Sequence, residues 1–350
     1  MTYLQNTWYA AAWDHEVTGK FLARTLLDQP VMFYRDVFGK AVALADRCAH
    51  RFAPLSGGKL VDGVVECPYH GLRYGSDGIC VHNPHGNIPK AAKVTAYPLL
   101  ERYGMIWIWM GPAEDADPAL LADFSALADE RRDYVSGYLR LNCHYELATD
   151  NLLDLSHVQY LHPLIGNSDS SDRNVFALKV DGNTIWAYNT MPGEPLTKMW
   201  KMLWDGPADT LVDRRGHMRW DPPSNMLLDI GVTACGQPKD EGISIAFGHI
   251  LTPESAHSTH YFWMAGRDCK RNDAALSEKL RIGFDATFRN EDDPMIMACQ
   301  SRMGGVSDLM SLKPILLVTD AAAVRARRVL AGLIEKEKAV DPVVGFPGAG

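Results

Sequence analysis

The 350-residue chain reads as an α+β protein, with an all-β domain over residues 1–115 and a mixed domain of strands and segregated helices over 116–350. Three observations predict this. Short runs rich in β-branched and aromatic residues (VMFYRD from Val31, AVALAD from Ala41, VVECPYH from Val64, MIWIWM from Met105) alternate with the turn signals FGK, SGG, DG and SDG, the pattern of a small all-β domain. GPAEDADPALLADF, Gly111 to Phe124, is acidic and proline-bearing, as a linker would be. Beyond it, the strand-like runs NTIWAYNT, NMLLDIGVTA and ISIAFGHIL stand beside clustered helical patterns, which favours α+β over a parallel α/β sheet.

The helical patterns fall in three places. The first is DNLLDLSHVQYLHP, Asp150 to Pro163. The second runs from Ala274 to about Met297, with Leu276, Leu280, Phe284 and Phe288 at steps of four forming an apolar stripe. The third runs from Asp320 to about Lys338, with Val324, Val329, Leu330, Leu333 and Ile334 on one side and Arg325, Arg327 and Arg328 elsewhere. The closing VVGFPGAG has the composition of a loose tail.

Composition narrows the function classes. A net charge of −8 without a basic tract argues against a nucleic-acid or anionic-membrane partner. No apolar run approaches the ~20 residues of a membrane span, and MTYLQNTWYAAAWDHE lacks the basic-then-apolar order of a signal peptide. A cytoplasmic protein is the expectation. Seven cysteines in a long chain do not suggest a disulfide framework; Cys80, Cys143, Cys235, Cys269 and Cys299 are scattered and read as bystander thiols.

Cys48 and Cys67 differ, because each has a histidine close by. CAHRFAPLSGG gives Cys48-x-His50 and CPYHGL gives Cys67-x-x-His70. Two such loops could grip one cofactor from two sides. A four-cysteine cluster would need two more thiols nearby. Zinc would accept these ligand types, but its usual spacings pair Cys with Cys and His with His. In a Rieske [2Fe–2S] centre, by contrast, two histidines replace two cysteines on one iron. His82 and His85, in CVHNPHGN, read as exposed loop histidines.

A second constellation lies in the first helical segment. His157 and His162 are five residues apart and would point ~140° apart on an ideal helix, whereas Asp154 and His157 would share a face. Pro163 biases His162 out of the helical region, so His162 could fold back toward a metal held by His157. Two histidines and one carboxylate form the facial set of non-haem Fe(II) oxygenases. One more step of four along the stripe reaches Asp292, an acid on an apolar face that needs compensation when buried. In FRNEDDPM the choice lies among Glu291, Asp292 and Asp293.

CAHRFAPLS followed by CPYHGLRY, and then DNLLDLSHVQYLH, resemble the two cluster loops and the mononuclear iron motif of Rieske non-haem iron aromatic oxygenases. NTWYAAAW, ERYGMIWIWMG and HILTPES extend the likeness over nearly the whole chain, nearest to the vanillate O-demethylase and dicamba monooxygenase group. The resemblance implies an N-terminal Rieske domain and a helix-grip catalytic domain. It implies a [2Fe–2S] cluster on Cys48, His50, Cys67 and His70, and mononuclear Fe(II) on His157, His162 and Asp292.

It further implies a homotrimer fed by NAD(P)H through a separate flavin and [2Fe–2S] reductase. Asp154 would bridge a cluster histidine of one protomer and His157 of the next, with Asn151 near the iron. The implied substrates are O2 and a small aromatic molecule. The implied reaction is oxidative O-demethylation of a methoxylated aromatic acid with release of formaldehyde; hydroxylation of an aryl methyl, N-methyl or ring carbon is the alternative, and an electron carrier without catalysis is a third reading. His249 matches a substrate-contacting histidine of the group. Asp229 falls near a pocket asparagine with a one-residue difference in spacing, and Phe284 stands beside Gly283, where the group has a pocket tryptophan.

Overall fold

The computed structural model describes residues 3–167 and 172–340; the VVGFPGAG tail lies outside them. The chain divides into two compact units, Met1–Leu121 with Thr252–Ser255, and Ala122–Leu251 with Ala256–Gly350. The short return of Thr252–Ser255 to the first unit is invisible in the composition.

The first unit is all-β. Its strands are β1 (Trp8–Trp13), β2 (Leu22–Leu26), β3 (Gln29–Arg35), β4 (Ala41–Ala45), β5 (Lys59–Val61), β6 (Val64–Glu66), β7 (Arg73–Tyr74), β8 (Cys80–His82), β9 (Leu99–Arg102) and β10 (Met105–Trp109). They form three small sheets, ordered β1-β10-β9, β2-β3-β4 and β5-β6-β7-β8. Tight turns suit such short strands, since each hairpin closes over few residues. One core cluster joins Tyr34, Leu44, Leu55, Val65 and Tyr74 to Cys48 and Cys67. Burying each large apolar side chain contributes about 1.5–3 kcal/mol, so the loops carrying both cysteines are anchored in the same core.

The second unit is built on a seven-stranded sheet. Its elements in order are β11 (Asp133–Leu141), α1 (Tyr145–Leu153), α2 (Val158–Leu161), β12 (Val175–Asp181), β13 (Thr184–Pro195), α3 (Lys198–Leu203), β14 (Leu211–Asp221), β15 (Asn225–Ala234), β16 (Ile243–Ser255), β17 (Ser258–Arg267), α4 (Ala274–Thr287), α5 (Asp293–Arg302) and α6 (Ala321–Val340). The sheet order is β11-β17-β16-β15-β14-β13-β12. Hairpins supply most neighbours, with β11 paired antiparallel to β17 at the far edge. There Gly137 lies opposite Trp263, and a Cβ at 137 would sit 2.4 Å from the indole. The small residue is what lets that ring lie flat on the sheet.

Asp273 caps α4 by accepting from the Leu276 amide at 2.9 Å, a contact worth ~1 kcal/mol. The stripe Leu276, Leu280, Phe284, Phe288 is buried, and Phe284 and Phe288 meet Phe247 edge-on at centroid distances of 5.1 and 5.7 Å. Between α4 and α5 the backbone takes one π-helical turn, Phe288–Asp292, a local widening often found at functional sites.

α6 packs on the expected apolar side, with Leu330 buried and Val324, Val329, Leu333 and Ile334 half-buried, but alanines complete the face. Its buried face is Ala322, Ala323, Ala326 and Leu330. Small side chains permit close approach to α1, and Arg327 turns inward to ion pairs with Glu146 at 2.5 Å and Asp150 at 2.7 Å. Among the described residues no helix is long and apolar enough to cross a membrane.

Candidate functional site

The two cysteine loops in the first unit repeat one backbone design. Cys48 N–H donates to Ala53 and Phe52 N–H donates back to Cys48; Cys67 N–H donates to Leu72 and Gly71 N–H donates back to Cys67. The fifth residue of each loop has positive φ, +60° at Phe52 and +72° at Gly71. Glycine takes this conformation without strain; Phe52 does so with its ring under the Arg47 guanidinium, 3.8 Å away.

Both thiols are buried, at 1% and 2% exposure, while His50 is exposed and His70 half-buried. The two imidazoles stand 4.6 Å apart at 64°. Tyr74 Oη lies 3.2 Å from Cys48 Sγ, and His85 Nε2 lies 3.0 Å from the His70 carbonyl. His85, expected to be a bystander, thus props a loop. Thiols inward and imidazoles outward, from two matched loops, fit a cluster with one cysteine-bound and one histidine-bound iron.

In the second unit, α1 ends at Asp154, whose backbone (φ −104°, ψ 89°) is no longer helical. This corrects the expectation that Asp154 and His157 share a helix face. The Asp154 carbonyl, not its carboxylate, accepts from His157 Nδ1 at 2.7 Å. The carboxylate accepts from the Ser156 amide at 2.9 Å and the Thr319 hydroxyl at 3.0 Å. The chain then makes a short turn, runs through α2 and leaves the helical region at His162, as Pro163 requires.

His157, His162 and Asp292 converge. Their ligand atoms lie within 4.8 Å of one another, the one such group of three among the described residues. Asp292 Oδ1 is 3.4 Å from His157 Nε2 and 3.3 Å from His162 Nε2. His162 Nδ1 donates to Glu291 at 2.6 Å, so Glu291 backs the ring, while Asp293 accepts from the Asn142 amide at 3.2 Å. Because each Nδ1 donates, each Nε2 presents a lone pair. Asp292 Oδ1 is buried without a hydrogen-bond partner. Three lone pairs facing one another repel unless a cation lies between them, so the donor set fits a divalent metal.

A cavity of about 110 Å³ opens onto this trio. That approaches the ~150 Å³ of an engineered cavity known to admit benzene, so it suits a single ring. Its walls include Leu155, Met191, Trp200, Leu228, Phe247 and Phe284, with His249 and Asn189 among the polar side chains. His249 stacks on Phe247 at 4.5 Å and shares a 2.6 Å hydrogen bond with Tyr261 through Nδ1. Its Nε2 is buried without a partner, and burial pushes its pKa down to about 3, so the ring is neutral.

Two candidates are not brought to the cavity. Asn151 is half-buried on α1, outside the lining. Asp229 alternates with the lining residues Leu228 and Ile230 and so points to the other face of β15. There it pairs with Arg215 at 3.2 Å and Lys239 at 2.5 Å. The expected substrate contact at Asp229 is therefore corrected: a one-residue difference in spacing inverts the face.

Comparison with known proteins decides the family. Residues 7–98 match the Rieske [2Fe-2S] domain and residues 141–336 the vanillate O-demethylase oxygenase C-terminal domain. The dicamba O-demethylase oxygenase component of Stenotrophomonas maltophilia is 40% identical over 97% of this chain and 100% of its own. The chain belongs to the Rieske non-haem iron oxygenases.

Other relatives of this oxygenase are the chloroacetanilide N-alkylformylase oxygenase component of Rhizorhabdus wittichii, 38% identical over 96% of this chain and 97% of its own, and a Pseudomonas vanillate O-demethylase oxygenase subunit, 32% identical over 95% and 96%. A crystal structure of dicamba monooxygenase bound to 3,6-dichlorosalicylic acid superposes with a TM-score of 0.91, at 38% identity, over 97% of this chain and 100% of that one. The oxygenase is a monooxygenase component whose cofactors are a Rieske [2Fe–2S] cluster and a mononuclear non-haem iron. As an oxygenase component it works with a separate reductase.

Proposed function

We propose that this chain is the terminal oxygenase of an aromatic O-demethylation system, cleaving a methoxy group from a single-ring substrate. The observation that carries the reading is the small apolar cavity ending at His157, His162 and Asp292. When bound, the iron supplies O2 activation and the cluster supplies electrons. The residues do the rest. Asp154 O and Glu291 fix both imidazole tautomers. The apolar walls exclude water and turn one C–H bond toward the metal site, and His249 Nε2 offers the ring a neutral polar contact.

The proposal includes a homotrimer in which Asp154 links His157 to a cluster histidine of a neighbouring protomer, a flavin and [2Fe–2S] reductase as electron donor, and a cytoplasmic setting. Oxidative N-dealkylation is a second reading, supported by the N-alkylformylase relative. Turnover with an added reductase on a panel of methoxy- and N-alkyl-substituted benzenes separates them. Formaldehyde with a phenol is expected; its absence from every methoxy compound would sink O-demethylation.

A further inference from the structure

One end of the cavity is polar in a specific way. Asn189, Met191 and Arg214 all line it, carried by the paired strands β13 and β14, with Met191 directly opposite Arg214. Asn189 is 2% exposed; its Oδ1 accepts from Asn174 Nδ2 at 2.9 Å, while its own Nδ2 and the Asn174 Oδ1 are both buried with no partner. A buried donor without an acceptor costs ~1–3 kcal/mol, so a donor left free in a cavity wall points to a bound acceptor.

Arg214 carries the positive charge of this wall, and that charge is already matched. Its Nε donates at 2.6 Å to Glu194, which is fully buried. Its Nη2 faces Met191 Sδ at 2.8 Å, a weak acceptor, and its Nη1 reaches the Ile165 carbonyl only at 3.5 Å. Arg215 also borders the cavity, but its guanidinium is paired with Asp229 on the other face of the sheet. A carboxylate brought here would bury a second anion against one guanidinium, which an apolar setting penalises. An uncharged oxygen would take hydrogen bonds from Asn189 and Arg214 without changing the charge count.

We infer that the Asn189–Arg214 wall, with Glu194 behind it, recognises an uncharged oxygen-bearing substituent on the substrate ring, such as a carboxamide, in preference to a carboxylate. The inference rests on the reading of this cavity as the oxidation pocket, and it makes Asn189 and Glu194 specificity-determining residues: Asn189 by direct contact, Glu194 by neutralising Arg214.

The test pairs the three isomers of methoxybenzamide with the three methoxybenzoates, which differ mainly in charge. Binding to the cofactor-loaded protein is measured by calorimetry without reductase, and formaldehyde release with it. The tightest amide should bind at least tenfold more tightly than its benzoate. Asn189→Leu should weaken the amide tenfold or more and leave the benzoate nearly unchanged. Glu194→Gln should narrow or invert the preference by tenfold or more; if that variant misfolds, the native ratio and Asn189→Leu still decide.

A benzoate bound as tightly as its amide, no binding by either, or an amide affinity indifferent to Asn189→Leu would overturn the inference. Amide-selective binding without formaldehyde would keep it and remove O-demethylation instead. Formaldehyde from benzoates alone would do the reverse.

Discussion

His162 turns Nε2 toward Asp292 across the metal site and is held at Nδ1 by Glu291. The second contact fixes the ring but was not legible in the sequence. The apolar stripe singled out Asp292, whereas the use of Glu291 depends on where a ring from another helix arrives. Partners that orient metal-bound histidines are typically worth 10–100-fold in metal affinity. Glu291→Gln should accordingly weaken iron binding by about 10–100-fold while leaving the cluster's absorbance intact, as iron titration would read. Full affinity would remove Glu291 from this role. At Asp229, burial raises the carboxyl pKa, but Lys239 and Arg215 pull it further down, below the ordinary value. A depressed folded pKa gives stabilisation that is complete above the unfolded value of about 3.9 and fades as pH falls through the folded value. Asp229→Asn should cost up to about 1 kcal/mol at neutral pH and nothing in strong acid. Denaturant midpoints at the two extremes check this.

Among the elements, α1 and α6 form the pair on which the iron motif hangs. Arg327 reaches from α6 to Glu146 and Asp150 on α1, and Thr319, just ahead of α6, holds the Asp154 carboxylate. Periodicity located α6 and its apolar side but not the share taken by alanines or the inward turn of Arg327, because alanines carry little weight in an apolar pattern and Arg327 reads as solvated until a partner is known. Removing the cation would leave two half-buried acids without compensation. Arg327→Met should therefore lower stability by about 3–5 kcal/mol, against less than about 0.5 kcal/mol for the exposed Arg325→Met. Equal midpoints for the two variants in urea would refute the clamp. The π-helical turn from Phe288 to Asp292 belongs here too. A stripe at steps of four anticipated where Asp292 would face, but not the widened turn that carries it.

Assembly is where the proposed electron path is tested. Asp154 spends both carboxylate oxygens inside its own chain, so a link to a neighbouring cluster would add to contacts already made. Coexpression of a cluster-deficient Cys48→Ser subunit with an iron-deficient His162→Ala subunit should restore part of the native turnover, although each alone is inactive. Mixed assemblies that remain dead would rule out transfer between protomers.

The order of the two domains, the paired Cys–His loops and the His, His, Asp donor types were all legible in the chain, because ligand spacing and apolar periodicity are local properties that linear order preserves. Folding was needed to show that the helix breaks at Asp154, that Glu291 stands behind His162, that Asp229 faces away from the cavity and that Arg214 arrives there already neutralised by Glu194. Each of these depends on the meeting of residues distant in sequence, or on which side of a strand one residue falls. No spacing rule fixes either until the strands are in register and the helices are packed.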